Sequence, residues 1–188
     1  MIFWIRGCIL MMLVLFYPSR ELFAQLNGFK VEQLRIEFNI RNMGVNVDGT
    51  LSQASVQGRL RPGQWRRTQL TARVPVKTLK SGIKLRDQHL MDQEYFHQEE
   101  HPYILFSSDS VHTQDDGSYV MHGLLTMKGK TQAERIHFTA QSFQGGGYLL
   151  EGDMQLNRLD YGIGEESMIL SDDVRIDIQC RLKTEHDN

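Results

Sequence analysis

The alternation of apolar and polar residues along most of the chain constrains its fold more than any other feature. Leu34, Ile36, Phe38 and Ile40 are separated by polar residues, and the same period of two recurs in further segments up to residues 174–182. A period of two is the signature of a β-strand with one buried face and one solvated face. The chain therefore predicts an all-β fold in which nearly every strand is amphipathic.

Turn residues separate these segments at the spacing of β-hairpins. Gly63, Gly117, Gly129 and the three glycines at residues 145–147 each lie between two alternating segments, and consecutive strands joined in this way are antiparallel. An open sheet of about eight strands would leave two unpaired edges, which closure into a barrel removes. We therefore expect an antiparallel, lipocalin-like β-barrel, with a β-sandwich as the alternative.

Three glycines occupy positions whose parity places them inside the barrel: Gly49, Gly123 and Gly152. A strand position without a side chain allows sharp curvature or leaves space in the lumen. Either role is compatible with a barrel that holds a guest molecule.

Residues 81–96 break the period of two and favour a short helical segment. Ser81 is the expected N-cap, and His101-Pro102 ends the segment because the residue before a proline avoids helical geometry. We expect a helical lid that crosses one mouth of the barrel; a connector packed on the outside is the alternative. The apolar residues at helical spacing are Ile83, Leu90 and Met91, followed by Tyr95 and Phe96.

Residues 1–24 have the pattern of an export signal. Arg6 precedes the apolar run of residues 7–17, which is too short to span a bilayer. Ala24 supplies the small residue before a cleavage point. We expect a cleaved signal peptide, one barrel domain over residues 25–188, and a periplasmic or secreted location; an uncleaved anchor is the alternative.

Charge and cysteine content narrow the function further. The formal net charge of -2 gives no clustered excess of Lys and Arg, so nucleic acid is not expected as a partner. Cys8 leaves with the signal, and Cys180 alone cannot form an internal disulfide. Because Cys180 lies on an apolar parity, we expect a buried and inert thiol.

Several blocks of residues carry a resemblance to a known family, and they occur in the family's order. A charged helix runs into a phenylalanine and a P-x-I-x-F strand, a G-x-L-T-x-x-G-x-T hairpin follows, then an N-R-x-D-Y-G-I-G stretch and the opening of the last strand. Together they resemble the YceI-like, polyisoprenoid-binding proteins over nearly the whole mature chain. The blocks are Leu85–Phe106, Gly123–Thr131, Asn157–Gly164 and Leu170–Val174.

The resemblance implies an exported lipocalin-like barrel whose long apolar lumen holds an isoprenoid chain. The N-terminal block departs from the family pattern, because Asn42 stands where the family often has histidine. An asparagine cannot titrate there, but its amide can still form a hydrogen bond with a head group.

Inward-facing apolar residues are the candidates for the lumen. Methionines among them suit a guest of irregular shape, because the thioether side chain is flexible and polarisable. The alternative is that these side chains fill the barrel, as they do in many small eight-stranded barrels. The candidates are Phe38, Val74, Val76, Ile104, Phe106, Met121, Leu125, Met127 and Phe138.

Polar residues near apolar anchors are the candidates for the mouth. A diphosphate would favour the arginines, because a guanidinium donates two parallel hydrogen bonds to phosphate oxygens; a quinone ring needs only one or two donors. Alternatively, Arg158 and Asp160 pair with each other or with the lid to close the barrel end. The candidates are Asn42, Arg86, Asp87, His89, Arg158, Asp160 and Tyr161.

Two alternative functions must also be considered from the sequence. Residues 97–101 spell H-x-x-E-H, a zinc-hydrolase motif, although that motif needs a regular helix and a distant third ligand. A barrel with a filled core could instead serve as a stress-related or adhesive surface module. We expect a lipid carrier without catalysis, cofactor or metal. Its expected partner is a long-chain isoprenoid such as a polyprenyl diphosphate or an isoprenoid quinone, with transient membrane contact and a monomeric or homodimeric state.

Overall fold

The computed structural model describes residues 29–184. The expected signal peptide and its cleavage point therefore lie outside the described residues. Among the described residues, no helix is both long enough and apolar enough to cross a bilayer.

The described chain forms a single antiparallel sheet of nine strands in the order β2-β1-β9-β8-β7-β6-β5-β4-β3. The expected all-β, lipocalin-like architecture is confirmed, and the sheet does not divide into the two packed layers of a β-sandwich. The strands are β1 (Phe29–Asn42), β2 (Val45–Leu51), β3 (Ser55–Arg59), β4 (Gln69–Pro75), β5 (Tyr103–Thr113), β6 (Tyr119–Met127), β7 (Lys130–Ser142), β8 (Gly147–Asn157) and β9 (Leu170–Thr184).

The curl of the sheet brings its two edge strands close together. β2 and β3 are consecutive in the chain and are joined by residues 52–54, yet they occupy opposite edges of the sheet. The edge of β2 is covered by the segment after β4: Thr50 and Lys80 exchange backbone hydrogen bonds of 2.8 and 2.9 Å. Thr78 Oγ1 also accepts a hydrogen bond from Ser52 N at 3.1 Å. Short contacts of this kind close the seam without a tenth strand.

β3 is the strand that periodicity alone did not predict. It spans five residues and forms a regular register with β4 from Ser55↔Arg73 to Arg59↔Gln69. Its inward residue Val56 continues an alternation with Ala54 and Leu60, so a signal existed but was short.

β-bulges shift the inward parity within two strands. The ladder between β1 and β9 slips between Val31 and Gln33, so Val31 and Leu34 both pack on the core side. The ladder between β5 and β6 slips between Ser108 and Ser110, and it turns Val111 into the core. An extra residue in one strand reverses the alternation that follows it.

Val76 does not continue β4 as the alternation predicted. The strand ends at Pro75, and Val76 begins a short 3₁₀ helix, Val76–Thr78. The backbone N–H of Val76 donates to Pro102 O at 3.0 Å instead of extending the ladder. Val76 is buried but lies in the wall at the end of the barrel.

The helix of the lid is shorter than the break in periodicity suggested. α1 spans Lys84–His89, and tight turns continue from there to Phe96. Ser81 is not its N-cap: Ile83 holds that position without a side-chain cap. Ser81 instead donates from N and Oγ to Asp87 Oδ1 at 2.7 and 2.6 Å, because the carboxylate is the stronger acceptor.

Aromatic rings close the opposite end of the barrel. Trp65 begins a 3₁₀ helix, Trp65–Arg67, between β3 and β4. Its ring lies 5.9 Å from Tyr119, 6.1 Å from Phe138 and 5.4 Å from Tyr148, measured between centroids. We call these four residues the aromatic plug.

Candidate functional site

The interior of the barrel is not filled by side chains. An inner cavity of about 190 Å³ lies next to the aromatic plug, and Thr68 is its one hydroxyl-bearing lining residue. Such a wall offers almost no hydrogen bonds to a guest. Its lining residues are Leu34, Ile36, Leu51, Ala54, Val56, Leu60, Trp65, Thr68, Leu70, Ala72, Val74, Ile104, Phe106, Met121, Leu125, Met127, Ile136, Phe138, Leu150, Gly152, Met154, Ile176, Ile178, Cys180 and Leu182.

An outer cavity of about 270 Å³ lies beneath the lid. Leu90, Tyr95 and Phe96 contribute to its wall, so the segment after α1 covers the barrel mouth and is not a connector packed on the outside. Polar atoms occur here, in contrast to the inner cavity. Its other lining residues are Phe38, Ile40, Asn42, Val47, Leu51, Leu79, Ser81, Arg86, His89, Ile104, Met127, Leu156, Arg158, Ile163, Leu170, Val174 and Ile176.

The two cavities adjoin along the barrel axis. Leu51, Ile104, Met127 and Ile176 belong to the walls of both. These four side chains lie where the two cavities meet. A flexible chain that entered under the lid would therefore reach the aromatic plug through an apolar passage.

Most of the residues expected in the lumen line one of the two cavities. Val76 lies in neither wall, because it belongs to the 3₁₀ helix after β4. Whether the others contact a guest stays a prediction. Val74, Phe106, Met121, Leu125 and Phe138 line the inner cavity, Phe38 lines the outer one, and Ile104 and Met127 line both.

Sequence patterns did not identify some of the lining residues. Trp65 lies in no strand, so no alternation pointed to it. Leu70 shares the parity of Ala72 and was detectable. Ile163 comes from the irregular segment before β9, and Leu170 is the first residue of β9; only the resemblance to the family singled out the blocks that contain them.

The space beside two of the inward-facing glycines is filled by neighbouring aromatic rings. A Cβ on Gly49 would clash with the Phe38 ring, and a Cβ on Gly123 would lie 2.5 Å from Phe106 Cζ. Only Gly152 borders a cavity. Of the two roles expected for these glycines, strand curvature or space for a guest, the second does not hold for Gly49 and Gly123, whose missing side chains make space for phenylalanine rings.

Asn42 brings an unpaired acceptor to the mouth. Its Oδ1 is buried and has no hydrogen-bond partner in the described part of the chain. The residue lines the outer cavity at the end of β1. Because a buried acceptor without a partner costs about 1–3 kcal/mol, the position is suited to a guest that carries a donor.

Arg86 and His89 face the same cavity from the lid. Arg86 Nε donates to Ser81 Oγ at 2.7 Å, and Nη2 donates to Ser81 O; within residues 29–184, Nη1 donates to no other group. The His89 ring packs edge-on against Tyr95 at 5.0 Å. Both side chains can present an N–H to a head group.

Asp87 does not line either cavity. It is buried behind Ser81, whose hydrogen bonds hold the pKa of the Asp87 carboxyl below its ordinary value. Lys80 Nζ lies 3.9 Å from Asp87 Oδ2. Asp87 fixes the start of the lid and is turned away from the guest space.

Arg158 lines the outer cavity but its guanidinium is already occupied. Nε and Nη1 donate to Ser171 O and Ile163 O at 2.9 and 2.8 Å. Nη2 donates to Glu165 O and to Asp172 Oδ1, both at 2.8 Å. With 3% of its surface exposed, this arginine holds the loop before β9 and leaves little for a phosphate.

Asp160 and Tyr161 are also absent from the two cavity walls. Asp160 is exposed and does not pair with Arg158, whose ionic partner is Asp172. Tyr161 is fully buried and donates to Glu134 Oε1 at 2.7 Å. Burial, together with this carboxylate, raises the pKa of Tyr161 above its ordinary value. Both residues therefore belong to the structure at the end of the barrel and do not face either cavity.

A family model for the YceI-like domain matches residues 29–182. The chain belongs to the YceI-like family. The match includes every residue of the two cavity walls, so both belong to the YceI-like domain itself. No curated protein matches the sequence significantly.

Solved structures share the YceI-like fold at low sequence identity. BcnA of Burkholderia cenocepacia is 19% identical with a TM-score of 0.74, over 80% of this chain and 96% of that one. The YceI protein of Campylobacter jejuni is 19% identical with a TM-score of 0.63, over 76% and 87%. A polyisoprenoid-binding domain of Saccharophagus degradans, implicated in plant cell wall breakdown, is 9% identical with a TM-score of 0.66, over 84% and 99%. These likenesses establish the fold.

Proposed function

We propose that this YceI-like protein binds the apolar chain of an isoprenoid or a similar amphiphile along its two adjoining cavities and carries out no catalysis. The observation that carries the proposal is the inner cavity, whose wall is apolar almost throughout. The Saccharophagus degradans protein of the same fold is described as a polyisoprenoid-binding domain, which supports the same ligand class here.

The energetics favour an apolar chain over a small polar ligand. Each CH₂ group that leaves water contributes about 0.8 kcal/mol, so a tail of several isoprene units can bind without a charged contact. A polar ligand would lose its hydration in the inner cavity and gain almost no hydrogen bonds in return. The tail therefore belongs beside the aromatic plug and the head group beneath the lid.

The outer cavity favours a neutral head group, such as a quinone ring or an alcohol, over a diphosphate. Arg158 is committed to loop carbonyls and Asp172, and Arg86 is partly committed to Ser81. A diphosphate would need several free cationic donors. A neutral head group needs only one or two hydrogen bonds, for which Arg86 and His89 offer donors and Asn42 Oδ1 offers an acceptor.

Export and membrane contact are part of the proposal. Residues 1–24 have the pattern of a signal peptide, so we place the carrier in the periplasm or outside the cell. Exposed apolar side chains surround the mouth, and we name them the apolar rim: Met43, Val45, Ile83, Leu85, Met168 and Ile169. Such a patch around the mouth of an apolar cavity supports transient contact with a membrane.

The rival surface module requires a filled core. The two cavities argue against it, because close-packed interiors leave few voids larger than a water molecule. Native mass spectrometry of the gently purified chain tests the choice directly. We expect co-purified apolar lipid of one mass class; a chain that is always empty, and that takes up no added polyprenyl compound, would contradict the carrier.

Substituting Leu125 with Arg should abolish binding of a fluorescent polyprenyl probe. Leu125 lines the inner cavity, and an arginine there would fill the space and bring a charge into an apolar passage. Leu124→Arg is the matched control, because the neighbouring Leu124 is 52% exposed on the outer face. Probe fluorescence measures binding and circular dichroism measures folding. Equal probe affinity in two folded variants would contradict the proposed lumen.

A further inference from the structure

Two histidines and a glutamate converge in the turn between the lid and β5. His97, Glu100 and His101 each offer one possible ligand atom, an imidazole nitrogen or a carboxylate oxygen, and these three atoms lie within 4.8 Å of one another. His97 Nδ1 is 3.3 Å from Glu100 Oε2, and His101 Nε2 is 3.9 Å from Glu100 Oε1. Two ligands of one tetrahedral Zn²⁺ are about 3.4 Å apart when each bond is about 2.1 Å.

The backbone of this turn holds the two imidazoles on the same side. His101 N donates to His97 O at 2.8 Å, and Glu100 N donates to the same oxygen at 3.1 Å. His97 has a φ of 48°, a left-handed conformation that is uncommon outside glycine and clusters at ligand sites. The histidine side chains are each 27% exposed, so the surrounding protein limits their rotation.

The β6–β7 hairpin packs directly against the His101 ring. A Cβ on Gly129 would lie 2.9 Å from His101 Cε1 and 3.3 Å from Nε2. The nitrogen that faces Glu100 therefore borders a glycine instead of a side chain. The glycine therefore makes room for the His101 imidazole itself, and a side chain at residue 129 would displace the ring from its place beside Glu100.

The geometry points to a binding site for Zn²⁺, or a similar divalent transition metal, formed by His97, Glu100 and His101. Two imidazole nitrogens and one carboxylate oxygen suit Zn²⁺ and leave one position for water. The arrangement differs from that of an H-x-x-E-H hydrolase, because the turn is not a helix and the glutamate itself is the third ligand. No hydrolysis is implied.

A bound ion would brace the segment that carries Tyr95 and Phe96 over the outer cavity. His97 directly follows Phe96, and the same segment is held by Gly164 N donating to Glu94 O at 3.0 Å. The ion would add a further crosslink within residues 97–101. This bracing does not depend on which molecule occupies the barrel.

Isothermal titration of the untagged, chelator-treated full chain with ZnCl₂ tests the site. We expect one ion per chain, and we expect His97→Asn, Glu100→Gln and His101→Gln each to weaken binding by about tenfold or more. Asparagine tolerates the left-handed backbone of residue 97, and Glu100 is largely exposed, so these changes should leave the fold intact by circular dichroism. Zn²⁺ should also raise the melting temperature of the wild type and not of Glu100→Gln.

Two control variants separate this site from other histidines. His137→Gln removes an exposed histidine of β7 and should leave the affinity unchanged. His112 and His122 also approach each other, with ring centroids 5.2 Å apart, so His112→Gln tests the rival pair. Absence of stoichiometric binding in the wild type, or loss of binding in His112→Gln with full binding in His101→Gln, would overturn the proposal.

Discussion

Cys180 combines an ordinary structural position with direct access to the inner cavity. It lies on β9 and lines the cavity wall, and burial raises the pKa of its thiol to about 11. The residue as a whole is only partly buried, so the expectation of a buried thiol holds in part. Since only the thiolate reacts with alkylating reagents, the residue should be nearly inert at neutral pH.

The rate at which Cys180 is labelled should therefore keep rising with pH beyond the pH at which the rate for an exposed cysteine levels off. In a Cys8→Ser chain, the rate with a small apolar thiol reagent should rise until the pH approaches 11, whereas the rate of the unfolded chain should level off near pH 9. The raised pKa favours the folded state at low pH, and that contribution is lost as the pH rises through the folded value. Mass spectrometry measures the rate; a folded protein whose rate levels off near pH 9 would contradict the buried position.

At the residue scale, the alternation of apolar and polar residues predicted which side chains face inward. It did not predict which groups pair with a charged side chain. Arg158 was a sound candidate for phosphate because it lies near the mouth. Its partners come from Ser171, Ile163, Glu165 and Asp172, which belong to irregular loops or to the start of β9. No local pattern predicts where those carbonyl oxygens converge, so only coordinates distinguish a guest-binding arginine from a structural one.

Phenylalanine–glycine contacts recur across neighbouring strands of the barrel. Phe38 lies opposite Gly49 in the register of β1 and β2, and Phe138 lies opposite Gly152 in that of β7 and β8. The Phe106 ring covers Gly123. A ring that lies over a glycine packs a curved strand without leaving a void, so the rings of Phe38 and Phe106 fill the space beside Gly49 and Gly123.

Gly123→Ala should destabilise the barrel by about 1–3 kcal/mol, because overpacking of a well-packed core costs about this much. The new Cβ would lie 2.5 Å from both Phe106 Cζ and the backbone oxygen of Ser107, and the backbone cannot move as freely as the ring. Urea unfolding measures the change. Leu124→Ala, an exposed neighbour on the same strand, should change stability by less than about 0.5 kcal/mol; an equal effect of the two variants would rule out the steric explanation.

At the scale of elements, strong alternation over long segments predicted most strands and their inward faces. β3 was missed because five residues carry too short a pattern, and the bulges at Val31/Gln33 and Ser108/Ser110 were missed because a bulge has no sequence signature as regular as the strand itself. The position of the lid was predicted from the sequence, but the length of its helix was not. Turns and a short helix both interrupt the period of two, so the interruption alone does not distinguish them.

The barrel is asymmetric along its axis. One end is closed by the aromatic plug, and the other carries the lid, the outer cavity and the apolar rim. Met43 N donates to Ile169 O at 2.7 Å, which joins the β1–β2 hairpin to the loop before β9 on one side of the mouth. On the lid, Ile83 at the N-cap of α1 and Leu85 within α1 are both exposed. If the barrel holds the proposed lipid, the mouth is therefore where that lipid would enter or leave, among the exposed apolar side chains of the described residues.

Charged substitutions in the apolar rim should slow the transfer of a fluorescent polyprenyl probe from the protein to neutral phosphatidylcholine vesicles. Met168 is 103% exposed and Leu85 is 76% exposed, and each would lose roughly 1.5–3 kcal/mol of favourable burial at the membrane surface. The double variant Leu85→Asp, Met168→Asp should therefore transfer the probe at least about tenfold more slowly, with its affinity in solution unchanged because neither residue lines a cavity. Leu124→Asp, on the outer wall away from the mouth, should transfer at the wild-type rate. Equal rates for all three proteins would show that the guest crosses water alone and that the rim does not touch the membrane.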